Sequence, residues 1–363
     1  MWLSKLKIKN FRNYDLLEVI FEKGINYLYG SNGVGKTNLI EAIYYISNLE
    51  SFRTNEDKNL LKENKGEFFI EGIIENLDYS LLVGKDSKLL SIDGIVYKKY
   101  REYLGHANVV EFIPEEVYLL KDFPKDRRKF MDKEISKIDK SYMDNLLIYN
   151  KLIKQRNELL KSEDVYKEEL LFIIDDKISE LQVDIIRKRK TFLKEIEKVV
   201  NEFNTSLNDV YEFEISYEGC FEEISKDAIL SKYKSTLEKD KERRVTSLGV
   251  HKDDFKIYIN HNDASNFGSQ GEQRFIVLLV KLALVNLIKE RIKECPILVL
   301  DDVFSELDES RKKEVYKIIK EFDQVFITGC NYEEIKEIEN IKKYQIKENK
   351  IHRIKEEMND EWY

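Results

Sequence analysis

Proline is nearly absent, with three in 363 residues, and glycine is sparse at 14. So few turn-formers argue against collagen-like, linker-rich or β-sandwich chains and favour long helices. The three cysteines, Cys220, Cys295 and Cys330, lie too far apart for a disulfide framework or a zinc knuckle. The four histidines are scattered without metal-ligand spacing. Such cysteine usage fits a reducing, cytoplasmic compartment. No apolar run approaches the roughly 20 residues of a membrane span, and the opening Met-Trp-Leu-Ser-Lys-Leu-Lys-Ile-Lys alternates like a strand. Excess positive charge is also missing: 61 basic residues face 69 acidic ones, a net charge of −8. Any contact with nucleic acid must therefore use local basic patches.

What the chain does have is charge, at 36% of residues, and a hydrophobic fraction of 42% that supports a sizeable core. Short apolar runs fill the first 110 or so positions, and Phe68 to Tyr97 reads as an antiparallel meander. From Asp126 to Arg244 there is one glycine, Gly219, and no proline. Ile178, Ile185, Phe192 and Val199 recur at sevens there, with Ile174 and Leu181 on the neighbouring seam, a coiled-coil-like pattern. One helix from Ile174 to Phe203 would span about 45 Å, either packed in a bundle or protruding as an antiparallel arm. Glu212 to Tyr217 reads as a short strand. Strand texture returns at Val245 to Ile259, then an α/β pattern follows. The charged tail from Asn331 reads as peripheral. These textures predict a head formed by 1–124 and 245–363, split by a helical domain at 125–244.

Gly30-Ser31-Asn32-Gly33-Val34-Gly35-Lys36-Thr37 matches G-x-x-x-x-G-K-[ST] between a strand and a helix. In that setting backbone amides and the helix N-terminus cradle phosphates, Lys36 reaches the β- and γ-oxygens, and Thr37 offers a hydroxyl to Mg²⁺. Ile297-Leu-Val-Leu-Asp301-Asp302 reads as a buried strand beside the phosphate-loop strand, ending in acids. Asp301 would hold Mg²⁺, and Asp302 would orient or deprotonate a water. No guanine-reading Asn-Lys-x-Asp occurs, which favours ATP. Ser269, Gln270 and Gly271 precede an apolar helix and form either an ordinary cap or a second phosphate cradle. In the ATP-binding-cassette arrangement such a second cradle covers the partner's nucleotide, so ATP joins a homodimer. Ser305-Glu-Leu-Asp308 resembles the cassette D-loop, and Thr328 stands where these ATPases place a switch residue.

In this order the motifs resemble the RecF family of bacterial recombinational repair proteins. The likeness begins at Leu6 to Tyr14 and includes Ser51-Phe-Arg-Thr54, Phe112-Ile-Pro-Glu115 and Pro124 to Asp132. It continues through Gly249-Val-His-Lys-Asp-Asp254, Gly268-Ser-Gln-Gly271 and Leu300-Asp-Asp-Val303. Two departures are Val250, where Pro is usual, and Glu272, where Gln is common. The resemblance implies an ABC-type, SMC/Rad50-like P-loop ATPase head with an inserted helical, partly coiled-coil second domain. It also implies ATP and Mg²⁺ as cofactors, with ATP-dependent dimerisation on duplex DNA or at single/double-strand junctions. Slow hydrolysis would then release the DNA, and RecR and RecO would act with it to load RecA. Arg12 is a candidate nucleotide contact on the same ground.

DNA contact points to three basic clusters: Lys121 to Lys133, Arg187 to Lys194 and Lys232 to Arg244. Within them Arg127, Arg128, Arg187 and Arg189 are the candidates for neutralising phosphates without reading sequence. The same runs also suit solvated helix faces. A transporter ATPase subunit would lack this helical insertion, and a full Rad50 or SMC protein needs a far longer arm. An OLD-like or anti-phage P-loop ATPase acting on nucleic acid opens with a similar strand and loop. Gly249 to Asp254 and the Ser-Gln-Gly cradle favour the RecF reading.

Overall fold

The structure, a computed structural model, describes residues 1–121, 123–162, 167–206, 212–266, 269–335 and 339–354. The chain divides into two compact units, Met1–Glu116 with Arg274–Tyr363, and Val117–Gln273. Among the described residues no helix is long and apolar enough to cross a membrane.

Two six-stranded sheets build the first unit among the described residues. One is antiparallel, in the order Tyr14–Ile20, Leu3–Phe11, Glu67–Ile74, Leu77–Gly84, Lys88–Ile92, Ile95–Tyr97. The other runs Lys350–Ile354, Lys342–Lys347, Gly24–Tyr29, Gln324–Gly329, Ile297–Leu300, Val109–Phe112. Its strands are parallel except for the outermost hairpin. Helix Lys36–Asn48 joins one hydrophobic cluster with residues of both sheets. Leu39, Ile40, Ala42, Ile43, Tyr44, Tyr45 and Ile46 are all fully buried there. A helix covered on every side is apolar all round rather than along one stripe, as its sequence is. Each fully buried leucine or isoleucine among them contributes about 1.5–3 kcal/mol, which anchors the phosphate loop at this helix's N-terminus.

Two expectations change in this unit. The acidic strand Ile297–Leu300 does not adjoin the phosphate-loop strand Gly24–Tyr29, because Gln324–Gly329 pairs with both and lies between them. The tail is not peripheral either: Lys342–Lys347 adds a parallel strand to Gly24–Tyr29. It carries only two buried side chains, Tyr344 and Ile346, so its inward face is too short to stand out among charged residues.

The second unit holds helices Pro124–Ile138, Lys140–Lys161, Lys167–Ser206 and Lys226–Arg243, with an antiparallel sheet of Phe213–Glu218, Asp254–Ile259 and Asn262–Asp263. Pairing of Asp254–Ile259 with Phe213–Glu218 draws the segment after residue 245 into this unit. The expected boundary at 244/245 therefore moves to 273/274, and the one at 124/125 to 116/117. Helix Lys167–Ser206 buries Leu171, Ile178, Leu181, Ile185, Phe192, Ile196 and Val200 on one stripe. Asp175, Ser179, Gln182 and Arg189 are buried on the same helix. Asp175 binds Arg156 of helix Lys140–Lys161 at 2.6 Å, and Gln182 donates to Tyr233 Oη of helix Lys226–Arg243 at 3.1 Å. Of the two packings open from sequence, this is the self-packed bundle, with hydrogen-bonded polar pairs set into its apolar core.

Candidate nucleotide site

Thr37 sits at the start of helix Lys36–Asn48 and Asp301 just beyond strand Ile297–Leu300, so both emerge at one edge of the parallel sheet. Thr37 Oγ1 donates to the Asp301 carboxylate, at 2.9 Å from Oδ2 and 3.2 Å from Oδ1. Thr328, near the end of the intervening strand, is buried between the two acids. Its hydroxyl donates to Asp301 Oδ1 and accepts from the Asp302 backbone N–H at 2.9 Å. Asp302 needs that support, because its backbone is left-handed at φ 49°, a conformation non-glycine residues adopt at a cost.

The phosphate loop closes on itself. Lys36 Nζ donates to the carbonyls of Gly30 at 2.6 Å and Ser31 at 3.1 Å. Gly35 has φ 105°, and a Cβ there would lie 2.6 Å from Asn13 Nδ2 and 2.7 Å from Tyr14 Oη. At Gly30 a Cβ would collide with the Ile346 carbonyl of the added strand. Asn32, Gly33, Gly35, Lys36, Thr37, Asn38, Arg53, Pro114, Asp301, Asp302 and Thr328 line a cavity of about 450 Å³. That size lies within the range of ligand pockets, about 300–1,000 Å³. A hydroxyl and a carboxylate converging at its floor form the hard-oxygen donor pair that Mg²⁺ takes beside phosphate, so the residues fit Mg²⁺.

Arg12 is committed elsewhere. Its guanidinium grips the fully buried Glu41 through Nε at 2.8 Å and a terminal nitrogen at 2.6 Å, and donates to the Asn59 carbonyl at 2.7 Å. The arginine on the cavity wall is Arg53, held by Asn38 Oδ1 at 2.8 Å. Sequence reasoning missed that role, although Arg53 stood within the quoted Ser51-Phe-Arg-Thr54.

Ser269, with Gln270 and Gly271 following, opens helix Gln270–Ile292 as a reciprocal cap. Ser269 N–H donates to Glu272 Oε2 at 2.6 Å, and Glu272 N–H approaches Ser269 Oγ at 3.4 Å, the arrangement of a capping box. Phe267 and Gly268 of the same motif lie outside the described residues.

Two of the four DNA-contact candidates are corrected. Arg127 is buried in a bidentate pair with Asp254, at 2.8 and 2.7 Å. Arg189 is fully buried, donating to Asp132 at 2.7 Å, the Val250 carbonyl at 2.7 Å and Tyr142 Oη at 3.0 Å. A buried arginine needs such partners to offset its desolvation, and neither guanidinium can meet a DNA phosphate. Arg187 is exposed, and Arg128 is half-buried with one bond to the Asp253 carbonyl. The Gly249 motif is a packing hub: a Cβ on Gly249 would strike Tyr149 Oη and lie 2.9 Å from Gln182 and Tyr233. Val250 donates its N–H to Gln182 Oε1 at 3.0 Å, a bond that proline could not make.

A family model for the RecF/RecN/SMC N-terminal domain matches residues 2–353. The DNA replication and repair protein RecF of Clostridioides difficile (strain 630) is 40% identical over 342 residues, covering 91% of this chain and 92% of that one. The chain belongs to the RecF family. A Streptococcus pneumoniae RecF (strain ATCC 700669) is 34% identical, covering 96% of this chain and 98% of its own. A solved structure of the recombination mediator protein RecF with ATP, from the RecFOR pathway, is 32% identical with a TM-score of 0.88 over 98% of both chains. A Smc head domain from Pyrococcus furiosus matches at a TM-score of 0.55 and 16% identity, over 97% of this chain and 96% of that one. The fold is that of the ABC-type ATPase heads, and the RecF relatives are DNA replication and repair proteins.

Proposed function

We propose that the cavity binds ATP with Mg²⁺, that binding joins two copies of this chain on DNA, and that slow hydrolysis releases them. The observation that carries the reading is the floor of the cavity, where Thr37, Asp301, Thr328 and the Asp302 amide form one hydrogen-bonded cluster beside Lys36. Loop amides and Lys36 hold the phosphates, while Thr37 and Asp301 hold the metal. Mg²⁺ neutralises charge on the phosphate oxygens when bound. Asp302 orients or deprotonates the attacking water. Many cassette ATPases use Glu at this point; the shorter Asp reaches less far, which suits a timer. A general base contributes roughly 10²–10⁴-fold, so imperfect placement makes for slow turnover. Ser269, Gln270 and Gly271 face the γ-phosphate of the nucleotide held by the other protomer.

Duplex DNA and single/double-strand junctions are bound without sequence preference. Arg187 and, in part, Arg128 are the two of the four arginine candidates that remain. Support for action with RecR and RecO in loading RecA comes from family membership and from the RecFOR pathway named for the ATP-bound neighbour. Light scattering with and without ATP and a short duplex tests the proposal. Wild type shifts from monomer to dimer on adding ATP. Ser269→Arg still binds ATP as a monomer but does not dimerise, because its side chain fills the seat of the partner's phosphate. ATP-driven dimerisation of that variant would reduce the second cradle to a helix cap.

A further inference from the structure

Two tight turns, 336 residues apart in sequence, meet beside the phosphate loop. One joins strands Leu3–Phe11 and Tyr14–Ile20 through Arg12 and Asn13. The other joins Lys342–Lys347 to Lys350–Ile354 through Glu348 and Asn349, at φ 53° and 58°. Asn13 Nδ2 donates to Asn349 Oδ1, and Asn349 Nδ2 donates back to the Asn13 carbonyl at 3.2 Å. Asn38 Nδ2 donates to Asn13 Oδ1 at 2.7 Å, and Arg53 donates to Asn38 Oδ1 at 2.8 Å.

These bonds form a directed chain, and arginine sets its direction. A guanidinium has donors and no acceptor, so it presents Asn38 with a donor and turns the Asn38 amide nitrogen toward Asn13. That in turn points the Asn13 nitrogen at Asn349. We propose that Asn349, Asn13 and Asn38 are positioning residues, a polarised amide relay that holds Arg53 on the wall of the nucleotide cavity. The relay rests on the reading of that cavity as the ATP site. Through it the C-terminal hairpin takes part in nucleotide binding without touching the nucleotide. Glu41 Oε2, 3.7 Å from Arg53, is the competing anchor; when the relay breaks, the buried carboxylate draws the guanidinium off the wall.

Asn349 is exposed and left-handed, so Asn349→Gly removes the amide without backbone strain. Asn349→Asp keeps the acceptor for Asn13 Nδ2 but loses the return bond to the Asn13 carbonyl and sets an oxygen against it. ATP is titrated at fixed Mg²⁺ into the full chain for wild type, Asn349→Gly, Asn349→Asp, Arg53→Ala and the Arg53→Ala/Asn349→Gly double variant. A solvent-exposed hydrogen bond has a small net value. Asn349→Gly is therefore expected to weaken ATP binding about two- to five-fold, with an unchanged melting temperature for the nucleotide-free protein. Asn349→Asp, keeping one of the two bonds, falls between Asn349→Gly and wild type, and in the Arg53→Ala background the glycine has no further effect, the mark of coupling through Arg53. Unchanged affinity in Asn349→Gly, or a loss that adds in full to that of Arg53→Ala, overturns the relay alone. Wild type that binds no ATP overturns the site reading and the relay together.

Discussion

Thr328, expected from the sequence to be a switch residue, has a hydroxyl already engaged by Asp301 and the Asp302 amide. Its bonds make it a brace that sets Asp301, proposed to hold the metal, and Asp302, proposed to orient the water, in register. Thr328→Val keeps the shape and deletes both bonds. Hydrogen bonds to charged groups are worth about 1.5–3 kcal/mol, so the expected loss in kcat is about tenfold or more. ATP affinity stays within about threefold, because the brace acts on the acids rather than on the loop. Thr328→Ser restores the rate. Parallel hydrolysis and binding assays check this, and a valine variant with wild-type turnover would remove the brace. At this scale the sequence was most legible where the chemistry is local: Gly30 to Thr37 and Asp301-Asp302 each lie in one short stretch. The buried arginines were hidden because their roles depend on distant partners, and Arg53 because the cavity it lines is completed by Asp301, Asp302 and Thr328, far along the chain. Arg127 meets Asp254, 127 positions away, and Arg156 meets Asp240, 84 away. A basic run reads as solvated until those counter-charges are placed beside it.

Helix Gln270–Ile292 shows how one side chain changes the use of an element. Its N-terminal donors and dipole favour an anion, but Glu272 already bonds to the Ser269 amide and brings its own negative charge. In the proposed dimer, a partner's phosphate would have to displace that carboxylate. Glu272→Gln keeps a capping acceptor and removes the charge, so ATP-driven dimerisation is expected to tighten several-fold, by an amount typical of one helix-terminus charge, about 0.3–1 kcal/mol. Sedimentation at matched protein and ATP concentrations measures it, and weaker dimerisation would show that Glu272 aids the interface. Element existence was readable from periodicity, as in helix Lys36–Asn48 and strand Ile297–Leu300. Strand order was not, because periodicity carries no information about which strand lies beside which. Hence Gln324–Gly329 intervenes unannounced and Lys342–Lys347 joins the parallel sheet.

Across the whole molecule, a net charge of −8 repels DNA at long range, so the proposed DNA binding is expected to depend on local clusters and to weaken steeply with salt. Arg187→Gln should lower duplex affinity and flatten the slope of log K against log salt by about 0.9 for each DNA phosphate that Arg187 neutralises, with melting unchanged. Arg189→Met should instead unfold the second unit more readily, by about 3–5 kcal/mol, because it strands the buried acid Asp253 and the partly buried Asp132. Duplex titrations and thermal melts of the two variants separate these roles, and equal loss of DNA binding with stability intact in both would return Arg189 to the DNA surface. Every role proposed for these residues requires ATP to be held by the phosphate loop, and equilibrium titration of ATP at fixed Mg²⁺ into wild type and Lys36→Ala tests that most directly. Saturable binding by wild type and its loss in a folded Lys36→Ala protein is the predicted result. Equal ATP affinity in the two proteins would contradict it.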